Sequence, residues 1–444
     1  MRIAWLSPAA GNSGIVEFTR ALLPALARHA EPELWAHGRP EAPPPDIPVV
    51  DYSADPLQLE RLVHYDAVFY NLGNHLGFHR AEYESSLVCP GIVVLHDRSL
   101  HHFFAGYHIT HRGLPNAYIE RMAALYGPRG REVADAVVAE RGEAAWDDEE
   151  EVLEHAFIED ALVNAVGAVV HARGHAEVVR ARWAGPVRAL DMPAYPSHLR
   201  RHPAAFGECG DVLTLVSIGH VGPSKHIHAA VEALAGAPDL SSRVRYLVAG
   251  PYDPRSSYIR DLSRIIADHG LARVVQLLGY VPPRMLDKLA ARADIFLNLR
   301  LPNLEGGSAS LMQQLAYGRP IVTYASGVYA ELPDDVVAKI TPGDRGELAR
   351  CLLRLVDDPG LRRRLGEAAR ALAERRDIDA YAQGLVEFAR VVDTWRPALR
   401  LADRVGTELL ALGASETSPD TDDIGEMILD LLVVDAPSPQ GPRA

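Results

Sequence analysis

Cysteine is scarce in this chain: three among 444 residues, Cys89, Cys209 and Cys351. They lie far apart with no C-x-x-C spacing, so neither a disulfide framework nor a zinc knuckle is implied, and buried thiols are the plain reading. No apolar run approaches the ~20 residues that span a bilayer. The chain opens directly on Arg2-Ile3-Ala4-Trp5-Leu6-Ser7, a first strand where a signal peptide would otherwise stand. A cytoplasmic protein without stable membrane insertion is expected. Positive charge is also short, with 45 Lys and Arg against 59 Asp and Glu and a net charge of −14. That balance argues against an extended nucleic-acid surface or a polybasic attachment to anionic lipid. Missing too is the dinucleotide fingerprint G-x-G-x-x-G. The loop after the first strand, Gly11-Asn12-Ser13-Gly14-Ile15, has its glycines three apart, which weakens a dehydrogenase reading.

What the chain does have is a rhythm, stated twice. Its composition, 48% hydrophobic and 23% charged, is that of a globular protein, and 444 residues exceed what one core fills, so two domains are expected. Up to about Tyr195, short β-branched runs at residues 3–6, 67–71, 92–95 and 168–171 alternate with helical patterns such as Ile15, Phe18, Leu22 and Leu26. This predicts βαβ units around a mostly parallel sheet. An irregular polar stretch then runs to Gly210 and reads as a linker. The rhythm restarts with strands at 213–218, 245–249, 274–277, 295–298 and 321–324, a second Rossmann-like domain, followed by helices between Glu347 and Trp395. The expected division is 1–200, 201–390, a closing helix at 391–413, and an acidic, Pro/Gly/Ser-rich tail at 414–444 read as disordered. The acidic run at 146–151 reads as a solvated helix start.

The most informative stretch is 301–320. Glu305-Gly306-Gly307-Ser308-Ala309-Ser310 sets a carboxylate and a small-residue turn in front of an apolar helix that should begin near Ser308 or Ser310 and stop at Gly318. Such a turn admits close backbone approach, and the helix offers N–H groups and a positive dipole end to an anion. Earlier, the strand at 213–218 runs into Gly219-His220-Val221-Gly222-Pro223-Ser224-Lys225, where a lysine at a strand-turn-helix mouth can neutralise a diphosphate. Arg300 is read equally as a phosphate contact or as a partner of a surface carboxylate. His96 and Asp97 stand at the carboxyl end of a strand, where open α/β sheets place ligand contacts. A metal site built from His96, Asp97, His101 and His102 is the rival reading there.

The 301–320 stretch resembles the Glu-x7-Glu signature of the retaining glycosyltransferases of family 4, with Glu305 at the first acidic position and Gln313 at the second. A Gln keeps hydrogen bonding but brings no charge. The turn at 219–225 is similar to that family's Gly-Arg-x4-Lys, with Lys225 kept and His220 at the Arg position, making one charge pH-dependent. Leu95-His96-Asp97-Arg98-Ser99-Leu100-His101-His102 resembles a pattern of a bacterial subgroup, with His101 and His102 read as structural. The resemblance implies the GT-B fold: two Rossmann-like domains facing across a cleft, acceptor side first and nucleotide-sugar donor side second, with the last helix returning to the first domain. It also implies retaining transfer of a sugar from a nucleoside diphosphate. Glu305, Lys225, His96 and Asp97 would be catalytic, and Gly14, His220, Tyr280, Val281, Arg300, Gly306, Gly307, Ser308, Ala309, Ser310 and Gln313 would bind the donor. No enzymic nucleophile, cofactor or metal is expected. The acceptor is expected to be a small molecule of a natural-product pathway, and a homodimer is compatible. Alternatives are a nucleotide-sugar epimerase of the same fold and an inactive nucleotide-sugar-binding homologue.

Overall fold

The computed structural model describes residues 1–8, 13–40, 42–140, 148–195 and 212–411. It divides into two compact units. The first takes Met1–Asp191, Leu304–Gly307 and the chain from Asp379, and the second takes Met192–Asn303 and Ser308–Ile378. The units therefore part at 191/192 and 378/379, where the sequence suggested 200/201 and 390/391. Most of the expected linker and the tail at 414–444 lie outside the described residues.

The first unit is built on seven strands: β1 Arg2–Leu6, β2 Glu31–Ala36, β3 Val49–Asp51, β4 Ala67–Leu72, β5 Gly91–Leu95, β6 Ala165–Val170 and β7 Val187–Ala189. They pair in the order β3-β2-β1-β4-β5-β6-β7, every pair parallel. Every residue of β4 and β5 is buried, as strands covered on both faces require. The second unit repeats the plan with β8 Leu213–Ile218, β9 Val244–Ala249, β10 Val275–Gly279, β11 Ile295–Asn298, β12 Ile321–Tyr324 and β13 Ala338–Ile340, ordered β10-β9-β8-β11-β12-β13 and again all parallel. In both sheets the winding direction reverses beside the first strand, between β1 and β4 and between β8 and β11. Ligands of open α/β sheets bind outside the carboxyl ends of strands at such a reversal.

Strand pairing adds β7, which closes the first sheet before the chain leaves it. It also adds β2, β3 and β13. The last helix, Ile378–Ala411, is continuous, and all of it after Ile378 belongs to the first unit. Asp379 pairs with Arg28 and His29, while Phe388 and Val392 fill the space that a side chain at Gly167 would need. In the acidic run, Asp148 caps the helix Glu149–Glu154 and Glu151 pairs with Arg129, so it is only partly a solvated face; Trp146 and Asp147 lie outside the described residues. Among the described residues no helix is long and apolar enough to cross a membrane.

Candidate active site

In the first unit, the sequence singles out residues after β1 and β5, together with the Glu305 turn. Ser13 caps the helix Gly14–Leu26 by accepting from the Ile15 N–H (3.3 Å), which makes Gly14 the exposed first helical residue. Gly11 and Asn12 lie outside the described residues. His96 is 7% exposed, and both its ring nitrogens are engaged, Nε2 with Asn71 Oδ1 (2.9 Å) and Nδ1 with Nε2 of His171 (3.2 Å). Burial is the main cause holding its pKa well below 6.5, with His171 and His79 adding to it. This ring is committed inward, whereas the sequence reading had it among the ligand contacts. Asp97 is half-buried, and its Oδ2 accepts from the Asn74 N–H (2.7 Å); Asn74 Oδ1 in turn accepts from the Phe103 N–H (2.9 Å).

The Glu305 turn is laid onto this strand end. Asp97 and Glu305 form an antiparallel bridge; the Arg98 N–H donates to the Leu304 carbonyl (2.7 Å) and the Gly306 N–H to the His96 carbonyl (2.9 Å). A Cβ on Gly306 would stand 2.9 Å from the His96 carbonyl oxygen, and one on Gly307 would stand 2.9 Å from His171 Cβ. The close approach that these glycines permit is therefore to the chain's own strand ends. Glu305 itself is half-buried.

The second unit carries the cationic part. Lys225 is 6% exposed, at the end of the 3-10 turn Pro223–Lys225 that follows β8. Gly219, at φ 119°, lies directly beneath it: a Cβ there would meet Lys225 Cε at 3.0 Å and Nζ at 3.1 Å. The Leu301 N–H donates to the Ser224 carbonyl (3.0 Å), tying this turn to the segment after β11. His220 is exposed and Arg300 half-buried. Helix Ala309–Ala316 is capped by Ser308, whose Oγ accepts from the Leu311 N–H (3.3 Å) and lies 3.2 Å from Ser310 Oγ. The N–H groups of Ala309 and Ser310 are left at the open end, as in the first turn of any helix. Tyr329 lends its hydroxyl to Ser308 Oγ (3.3 Å) and Asn298 Oδ1 (3.4 Å), and so holds the cap against β11. Gly318, at φ 64°, follows this helix, as the sequence suggested. Gln313 is half-buried on the helix. Tyr280 (61% exposed) and half-buried Val281 follow β10.

His96, Asp97, His101 and His102 do not bring ligand atoms together. Among the described residues, Glu151, Glu154 and His155 do so, within 4.8 Å of one another, and there Arg129 already pairs with Glu151. His101 is buried against Tyr118, in line with a structural role. The sequence reading assigned no role to Asn71, Asn74 or His171. Asn71 and His171 had only their positions at the ends of the runs 67–71 and 168–171 to mark them.

Two parallel Rossmann-like sheets with this strand order define a protein of the GT-B class. HepE of Anabaena, solved with UDP, is similar with a TM-score of 0.58 and 16% identity over 87% of this chain and 99% of that one. The sucrose-phosphate synthase of Thermosynechococcus elongatus is similar with a TM-score of 0.60 and 18% identity over 88% and 98%. Within that class, residues 201–372 match the family described as glycosyl transferases group 1. The 2-deoxystreptamine glucosyltransferase of Streptomyces kanamyceticus is 28% identical over 180 residues, 39% of this chain and 43% of that protein. The MMP alpha-(1->4)-mannosyltransferase of Mycolicibacterium hassiacum is 32% identical over 123 residues, 27% and 28% respectively. The matches span less than half the length of these curated relatives.

Proposed function

We propose that this protein transfers a sugar from a nucleoside diphosphate to a small-molecule acceptor, with retention at the anomeric carbon, in a natural-product pathway. The observation that carries the reading is the buried ammonium of Lys225, seated over Gly219 at the carboxyl end of the strand beside which the second sheet reverses. A lysine at the carboxyl end of a strand beside such a reversal suits a ligand with phosphate charge. In this reading Lys225 and the first turn of helix Ala309–Ala316 offset the charge of the departing diphosphate, with no metal or cofactor. Glu305 holds the donor sugar, Gln313 the ribose, and Tyr280 with Val281 the base. Asp97 steadies the Glu305 turn by the bridge between them. The likeness to a glucosyltransferase named for 2-deoxystreptamine supports a small polyhydroxylated acceptor.

A thermal-shift screen against UDP, GDP, dTDP, CDP and ADP tests the donor site. A ligand at 100 times its Kd adds about 2.7 kcal/mol to the state that binds it, enough to raise Tm by roughly 5–10 °C for a unit of this size. Lys225→Ala should abolish the shift. No response to any of the five overturns the reading. Epimerisation of a nucleotide-sugar without acceptor would overturn transfer in favour of an epimerase.

A further inference from the structure

The hydrogens of the buried polar chain behind Glu305 can be assigned from one fixed point. The Leu6 carbonyl only accepts, so the Asn71 group 2.9 Å from it is the NH2, and Asn71 Oδ1 faces the other way. Oδ1 lies 2.9 Å from His96 Nε2, so that nitrogen carries the hydrogen. His96 is neutral in its buried place, which leaves Nδ1 a lone pair. His171 is neutral too and has one ring hydrogen to place: its Nε2 lies 3.2 Å from His96 Nδ1 and its Nδ1 a longer 3.4 Å from the Leu190 carbonyl, so the shorter contact takes the hydrogen and Nε2 donates to His96. The two rings are walled in: Phe18 stands edge-on to both, and Tyr381 lies against His171 at 6.0 Å with the rings 32° apart. His171 also touches the donor turn directly, because its Cβ occupies the space beside Gly307, while Gly306 hangs from the His96 carbonyl.

We infer that His171 is a positioning residue for Glu305: its Nε2–H locks His96 in the Nε2-protonated tautomer, and its Cβ is the seat on which Gly307 rests. The inference deepens the glycosyl-transfer reading and rests on it for the catalytic consequence. His171 touches no reacting atom. It holds the strand end to which the Glu305 turn is laddered, and so sets where that carboxylate stands. Catalytic groups must be held within fractions of an ångström, so a supporting side chain acts on the rate more than on donor affinity.

Two variants separate the roles. His171→Gln keeps an N–H near the Nε2 position, whereas His171→Leu fills similar space without a donor. Nitrogen-15 NMR of histidine-labelled full-length protein reads the His96 ring without substrate. In the parent and in His171→Gln, His96 should carry its hydrogen on Nε2; in His171→Leu the Nδ1 resonance should move toward that of a lone pair with no donor. With the nucleoside diphosphate found by the thermal screen, His171→Leu should bind within about threefold of the parent. Its kcat for sugar transfer should fall about tenfold, the worth of one neutral hydrogen bond, and His171→Gln should recover most of it. A parent His96 protonated on Nδ1 overturns the inference, as does a His171→Leu variant whose His96 resonances and kcat are unchanged. If the parent transfers no sugar, the transfer reading fails while the ring NMR still decides the tautomer lock. If His171→Leu does not fold, the parent tautomer and His171→Gln decide.

Discussion

Lowering the pH from 7 to 5 should cost the first unit about 5 kcal/mol of stability, because its core holds imidazoles neutral. Burial, the first cause in each case, lowers His79 and His171 to about 4 and His101 and His175 to about 3. An imidazole in the unfolded chain titrates near 6.5. Between about 6.5 and these lower values the unfolded chain holds protons that the folded one does not, so stability falls as pH falls through that window. At about 1.4 kcal/mol per pH unit, each of the four loses roughly 1.8 kcal/mol between pH 7 and 5, together about 7. His96, also lowered, acts in the same direction. Glu82 opposes them. Burial pushes it up to about 8, so the folded chain holds its proton between about 4.5 and 8 where the unfolded chain releases it, and its contribution grows by roughly 2.5 kcal/mol over the same interval. The histidines win, and the net loss is comparable with the whole stability of a typical domain, about 5–15 kcal/mol.

Urea unfolding at pH 7, 6 and 5, followed by tryptophan fluorescence, isolates this effect, since Trp5, Trp35, Trp183 and Trp395 all belong to the first unit. His175 is the residue to change, because neither of its ring nitrogens has a hydrogen bond to lose. His175→Leu should flatten the pH slope below 6.5 by about 1.4 kcal/mol per unit. Unfolding free energies constant to about 1 kcal/mol from pH 7 to 5, or a His175→Leu slope equal to the parent's, would refute the reasoning.

Gly306→Ala should destabilise the first unit by about 1–3 kcal/mol, because its Cβ would meet backbone that cannot swing aside, the His96 carbonyl at 2.9 Å; a urea midpoint equal to the parent's would sink this. Gln314, 1% exposed on helix Ala309–Ala316 with both amide atoms unbonded, should gain about 1–2 kcal/mol as Gln314→Met, read by thermal unfolding. A loss of stability there would mean that the amide has a partner in solution. Gln313→Glu should change which nucleoside diphosphate shifts Tm most in the screen, since it restores a charge at the ribose position; an identical ranking would remove Gln313 from the donor site.

The strands at 213–218, 295–298 and 321–324 were legible residue for residue, because β-branched runs there are bounded by glycine, proline or polar turns. The strands β3, β7 and β13 were not. Each has three residues, and such a strand exists because a neighbour supplies its hydrogen bonds. The same distinction runs through the site. Ser308, Gly318 and Lys225 announce themselves by local chemistry, a cap, a left-handed stop and a cation in a turn. Gly306 and Gly307 announce only that no Cβ fits, and the sequence reading filled that space with a ligand. In the structure the space at Gly306 belongs to the His96 carbonyl and that at Gly307 to His171, residues more than 130 positions away. Parallel register explains why. It sets Asn71 beside Val94 and brings β6 alongside β5, so Asn71, His96 and His171 meet at neighbouring carboxyl ends although nothing in their spacing says so. A glycine turn therefore reports a close approach, and only the sheet order says to what.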